Sequence, residues 1–320
     1  MIKAEIVADS RNKFGNRITT FVLQFPRIVL AEFNTHRMIS RNSASSRAIP
    51  FAKMLQRVEE NPFIPIAWMK DHSGMQGNEY FTNDNDINRL KTDWLIARDN
   101  AVRVAKSLSE FNLTKQVVNR LLEPFMWHTV ICTGTEWENF FALRAHPAAE
   151  IHIAKLAELM LEAYNTSTPK LLNDGEWHIP FGDNFSGRGR DLDKILGNEP
   201  EQSTIGELTD LMIKIATARC ARVSYLNFEG KDDYVADIKL HDTLKQMGHM
   251  SPFEHCAKAM TSQEYRHYHM HSYNSGTGDD KDLGFLGNFR GFIQYRKMIN
   301  GENKTDERVL KFKLDTPLLS

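Results

Sequence analysis

The stretch THRMISRNSASSRAIP, residues 35–50, sets His36, Arg37, Arg41 and Arg47 among serine hydroxyls. A serine-rich turn can aim backbone N–H groups and hydroxyls at a phosphate while arginine supplies a fork of donors. Ser43, Ser45, Ser46 and Arg47 fit that description best. A solvated basic turn is the competing reading, and RGR at 188–190 is a weaker basic run in a loose segment. Arg120 and Arg144 stand among apolar neighbours in QVVNRLLEP and FFALRAHP, so each must snorkel, pair, or face a polar cavity. His249 and His255 are helix-cap or core-edge candidates. His267, His269 and His271 alternate as on one face of a strand, where a polar surface is a better reading than a metal site.

The elements that must position these residues read as follows. MIKAEIVADSRNKFGNRITTFVLQFP reads as two extended stretches around the turn-forming 12–16 region, the second being the β-branched and aromatic ITTFVLQF. RIVLAEFNTHRM has helical spacing and leads into the basic stretch. Residues 61–89 read as an irregular excursion, followed by a helix over about 90–109 and another over LTKQVVNRLL that ends at Pro124. ENFFALR and AEIHIAKLAELMLEAY are helical, the second with an apolar stripe through Ile153, Leu156, Ala157, Met160 and Leu161. Residues 173–203 read as a linker or surface loop. Helices resume in TIGELTDLMIKIATARCARVSY and in a segment closed by Gly248. SPFE then carries an N-terminal code, with Ser251 as cap, Pro252 in the first turn and Glu254 reciprocating, which puts His249 at a corner. NFRGFIQYRK reads as a docking strand or helix.

Composition sets the outer bounds. The chain has 320 residues, 41% hydrophobic, with 40 basic against 41 acidic residues, so bulk electrostatic coating of a nucleic acid polymer is disfavoured. Cys132, Cys220 and Cys256 form no CxxC pair, which fits a reducing compartment. No run approaches the length of a membrane span and no signal peptide is legible, so the expectation is a cytoplasmic protein without membrane contact. No P-loop, dinucleotide-binding fingerprint, HExxH signature or Ser/His/Asp order is present.

Four separated pieces together resemble the flavin-dependent thymidylate synthase family. His36 and Arg37 followed by RNSASSR are similar to the family's Arg-His-Arg and serine signature, with Ser45 and Arg47 on the signature serine and the phosphate-binding arginine. KQVVNRLLEP resembles the helix whose arginine, here Arg120, reaches a nucleotide phosphate. ENFFALR matches the asparagine and arginine pair, here Asn139 and Arg144. ARCARVSY and GHMSPFEH look like the family's N-terminal elements, yet they lie near residues 218 and 248, so the order looks circularly permuted.

The resemblance implies an α/β (α+β) fold with helices around a small antiparallel sheet, in a single catalytic domain over 1–320 with insertions at 61–89 and 173–203. It implies a homo-oligomer, a tetramer with active sites shared between subunits. The implied activity is transfer and reduction of a one-carbon unit from methylenetetrahydrofolate to C5 of dUMP, with FAD and NADPH as redox cofactors and no cysteine nucleophile. Ser45, Ser46, Arg47 and Arg120 would bind phosphate. Arg144 would bind the base, and His36, Arg37 and Asn139 the flavin. His249 would serve the flavin and folate side, and Ser45, Arg144 and His249 would form the catalytic set. Thr35 replaces the first arginine of the triplet and Ser43 the usual glutamate. These departures leave two other outcomes: a folate-dependent hydroxymethylase acting on dUMP or dCMP, and a non-catalytic nucleotide-binding or assembly protein.

Overall fold

A computed structural model describes residues 1–74, 77–182, 189–199, 202–223, 233–268 and 284–302. The chain opens with β1 (Lys3–Asn12) and β2 (Arg17–Pro26), an antiparallel pair with a register shift between Ile6 and Ala8. A 3-10 turn leads into α1 (Leu30–Phe33), then β3 (Ser40–Ser43), α2 (Phe51–Glu60), α3 (Asp84–Glu110) and α4 (Lys115–Val118). A second 3-10 segment (Asn119–Phe125) precedes β4 (Trp127–Gly134), α5 (Glu138–Arg144), α6 (Ile151–Thr166), β5 (Lys170–Leu172) and β6 (Trp177–His178). Helices α7 (Gly189–Leu196), α8 (Ile205–Val223) and α9 (Tyr234–Met247) follow, then β7 (Ala257–Ala259), α10 (Ser262–His267), β8 (Phe285–Leu286), β9 (Phe289–Arg290) and β10 (Phe292–Gln294).

The architecture is mixed α+β. The main sheet has the order β3-β4-β2-β1-β5, antiparallel except where β5 runs parallel to β1. Alternation along β2 decides its two faces. Phe21, Leu23 and Phe25 join Phe33, Phe140, Ile153, Leu156 and Met160 in the core under α5 and α6. The opposite face carries Val22 and Ile131, which pack with Phe181 and with Cys220 and Val223 of α8. A smaller sheet, β10-β7-β6, lies beside α8. A separate core of Ala44, Ile49, Met54, Val58, Val102, Val118 and Leu122 seats α2, α3 and the 115–125 segment against the serine-rich turn.

Several expectations need correction. The helix expected over 27–38 is a 3-10 turn and the single turn α1. Thr35 donates its hydroxyl to Glu32 O, and Arg41 donates to the carbonyls of Asn34, His36 and Ile39, so side chains take the carbonyls a longer helix would use. The excursion at 61–89 stops early because Asn83 caps α3 by accepting from the N–H groups of Asn85 and Asp86. The 173–203 stretch contains β6 and α7. Ser251 does not cap a helix: Ser251–Glu254 is a 3-10 turn with Met250 at its cap position, and the Ser251 hydroxyl donates to Asn42. Gly248 does close α9 in the left-handed region, at φ 75°. His267 ends a helix rather than lying on a strand, whereas His269 and His271 lie outside the described residues, as does Arg188 of the RGR run.

Candidate nucleotide site

The edge strand β3 feeds directly into the 45–49 turn, and Asn42 near the strand's end anchors it. Its Nδ2 donates to Cys220 O of α8 at 3.1 Å, and its Oδ1 accepts from the Ser251 hydroxyl at 3.2 Å. These bonds draw the serine-rich turn against the corner closed by Gly248. Between them lies an open pocket of about 150 Å³ lined by Asn42, Ser43, Ser45, Ser251 and His249, with Leu244 among its apolar walls. Ser45 and His249, far apart in sequence, thus share one cavity, and His249 presents an exposed ring to it.

The turn has an asymmetric hydrogen-bond inventory. Ser45 O accepts from Ala48 N at 2.9 Å, and Ser46 O and Ile49 O accept from Asn119 Nδ2 at 2.7 and 2.9 Å. Ala48 O accepts from Lys115 Nζ at 3.1 Å. The N–H groups of Ser45, Ser46 and Arg47, by contrast, have no partner among the described residues. A turn with most of its carbonyls occupied and three successive N–H groups unpaired among the described residues is suited to an anion. The Arg47 guanidinium is exposed and has no partner among the described residues, and the Ser45 hydroxyl is likewise uncommitted there.

The other expected site residues distribute differently. Ser46 is buried, and its hydroxyl donates to Glu123 at 2.5 Å rather than facing the pocket. Arg120 is exposed and donates to Gln116 O at 3.2 Å. Asn139 is exposed on the first turn of α5, and its side chain makes no hydrogen bond to a described residue. Arg144 turns to His36, donating from Nε to Nε2 at 3.1 Å and from its terminal nitrogen to Thr35 Oγ1 at 3.3 Å. Burial, then Arg144 and Arg41, hold His36 below the usual imidazole range, which keeps Nε2 an acceptor for Arg144. His36 also meets Phe140 edge-on, with ring centres 4.9 Å apart.

A second cavity of about 480 Å³ adjoins the first at Ser251. Arg37, Arg41, Arg296 and Lys297 line it against the single carboxylate Glu254. Arg296 pairs with Glu254 and Glu302, and Lys297 with Glu302, whereas Arg37 has no ion pair among the described residues. The cysteines are buried and line neither cavity, and burial raises their thiols, Cys256 to about 12, so none presents a thiolate at neutral pH.

Asn42, Asn119 and Glu123 are the positions that sequence reasoning missed. For Asn119 a signal was present: a lone amide within the apolar run QVVNRLL must find partners if that run is buried.

The fold is mixed α+β, and a serine-rich turn with unpaired N–H groups shares a pocket with the His249 corner. No known protein family and no curated protein matches the chain. Among solved structures it is similar to the UMP/dUMP methylase PolB from Streptomyces cacaoi, bound with 5-Br UMP in one structure and 5-Br dUMP in another. Identity is 16% and 15%, with 51% of this chain and 88% or 90% of that chain covered, at a TM-score of 0.42 in both cases. Among the described residues no helix is long and apolar enough to cross a membrane.

Proposed function

We propose that the chain binds a pyrimidine deoxynucleoside monophosphate and modifies C5 of its base, with dUMP as the substrate and dTMP as the product. The observation that carries this reading is the 45–49 turn: N–H groups with no partner among the described residues, an uncommitted Ser45 hydroxyl in the pocket that His249 shares, and an exposed Arg47 two positions along the chain that pairs with no described residue. A phosphate satisfies all of these donors at once. Arg120, exposed on the segment that carries the turn, adds long-range attraction for the dianion.

The cation-rich second cavity fits the phosphates of a dinucleotide, with Arg37 free to pair with them. When bound there, FAD, reduced by NADPH, supplies the hydride that completes a methyl group whose carbon comes from methylenetetrahydrofolate. His249, at the pocket's rim, orients the base towards that neighbouring cavity. Arg144, held by His36, is the donor for a base carbonyl as charge develops on the ring. The permuted order of the chain pieces and a tetramer with shared sites belong to the same reading.

One observation favours the hydroxymethylase. Thr35 takes the place of a family arginine, and its hydroxyl accepts from Arg144. Fewer cations beside a reduced flavin weaken its hold, and water can then capture the exocyclic methylene on dUMP or dCMP.

The test is incubation with dUMP or dCMP, methylenetetrahydrofolate, FAD and NADPH, with the nucleotide product identified by mass. A 5-methyl product that requires FAD and NADPH supports thymidylate synthesis. A 5-hydroxymethyl product formed without reductant replaces it, and nucleotide binding without turnover leaves a binding protein.

A further inference from the structure

The amide of Asn119 is fully buried, and both hydrogens of its Nδ2 go to carbonyls of the 45–49 turn. Its Oδ1 is buried without a hydrogen-bond partner. The opposite amide orientation would set that oxygen against two carbonyl oxygens, so the turn alone dictates how the side chain points. A buried polar atom left without a partner is costly, and such a cost calls for a compensating role. Four residues along the chain, Glu123 accepts the Ser46 hydroxyl while lying 3.6 Å from Arg27. Arg27 in turn donates to His128 Nε2 at 3.2 Å, and with Lys115 on Ala48 O these contacts hold the turn from beneath.

We propose that Asn119 and Glu123 are positioning residues that set the 45–49 turn for an anion: they occupy two of its carbonyls and the Ser46 hydroxyl, so that its N–H groups stay unpaired and available. This rests on reading that turn as the phosphate site. Neither residue touches the nucleotide. Both act through the backbone, so their effect is confined to ligands that carry a phosphate. The Glu123 carboxylate opposes an anion by charge and serves by geometry, and the two contributions can be separated. Glu123→Gln keeps an acceptor for Ser46 and removes the charge, whereas Glu123→Ala removes both.

The experiment compares dUMP, deoxyuridine and inorganic phosphate as ligands of the full chain by titration calorimetry. Amide resonances of Ser45, Ser46 and Arg47 are followed during the phosphate titration. Wild type should show shifts at those amides. E123A should bind dUMP roughly tenfold more weakly with deoxyuridine affinity unchanged, and E123Q should bind dUMP at least as tightly as wild type. N119A should lose phosphate binding in the same pattern. If that buried variant fails to fold, the two variants at the partly buried Glu123 still decide the matter. Wild-type dUMP affinity in folded E123A, or equal losses for dUMP and deoxyuridine, overturns the positioning role. R47A separates the two failures: if it too leaves dUMP affinity intact, the phosphate reading itself falls, whereas a loss in R47A without one in E123A removes only the positioning role.

Discussion

The Ser251 hydroxyl donates to Asn42 Oδ1 at 3.2 Å, a bond between positions 209 residues apart that closes the pocket between the serine-rich turn and the His249 corner. Asn42 also holds α8 through Cys220 O, so this one side chain sets the pocket's width. Replacing Asn42 with alanine should cost about 1 kcal/mol of stability for the lost bonds. Nucleotide affinity should fall by more than that, because the two walls separate. Thermal unfolding and calorimetric titration of the same variant check this, and an affinity equal to wild type would remove Asn42 from the site.

Arg47→Ala should weaken dUMP binding roughly tenfold through loss of a charge-assisted contact. Its melting temperature should stay at the wild-type value, since the guanidinium pairs with no described residue. Raising the salt concentration should weaken the wild type more than the variant. A variant with the same salt dependence as wild type would rule out the contact.

Acid should destabilise the fold well above the carboxylate range. His128, His178 and His255 are each pushed down to about 3 by burial, His128 further by Arg27 and His255 by His178. The unfolded chain takes up these protons near pH ~6.5, whereas the folded chain refuses them until about pH 3. Between those limits the unfolded state binds more protons, so stability falls as pH falls. Each histidine contributes a slope of up to ~1.4 kcal/mol per pH unit. Urea midpoints measured from pH 7 to pH 4 should decline steadily, and a flat profile down to pH 4 would contradict the neutral buried state.

His178 and His255 are joined by a buried chain of hydroxyls across the sheet. Ser10 Oγ meets His178 Nδ1 at 2.9 Å, and His178 Nε2 meets Thr20 Oγ1 at 2.8 Å. Thr20 and Thr133 then meet at 2.7 Å, and Thr133 meets His255 Nδ1 at 2.9 Å. Threonine to valine at 133 keeps the shape and severs the chain, leaving His255 and Thr20 short of a partner. We expect a loss of about 1–3 kcal/mol, read from denaturant midpoints. Thr133→Ser should recover most of it.

Much of the frame was legible in the sequence because periodicity reports burial directly. β1, β2, α6, α8 and the Gly248 closure follow from alternation, apolar stripes and a residue that tolerates positive φ. The expectation failed where side chains intercept the backbone: Thr35 and Arg41 end α1 early, and Ser251 spends its hydroxyl on Asn42 instead of a helix cap. Family likeness gave Ser45 and His249 separate roles, and the two line one pocket. Local patterning is silent on such long-range bonds. The same silence hid Asn119 and Glu123, whose importance depends on which carbonyls lie above them.

The parallel between β5 and β1 and the tie from β3 to α8 also set a timetable. The serine-rich turn and the 115–125 segment that grips it meet through contacts 70 and 73 residues apart in the chain, and a ribosome releases both before the rest of the pocket. Its opposite wall, with His249 and Ser251, emerges more than a hundred residues later and must close over a long loop. A nascent chain therefore carries the serine-rich turn, with its unpaired N–H groups, before it carries the pocket. The wall that offers donors is thus exposed first, and the wall that narrows the pocket arrives last.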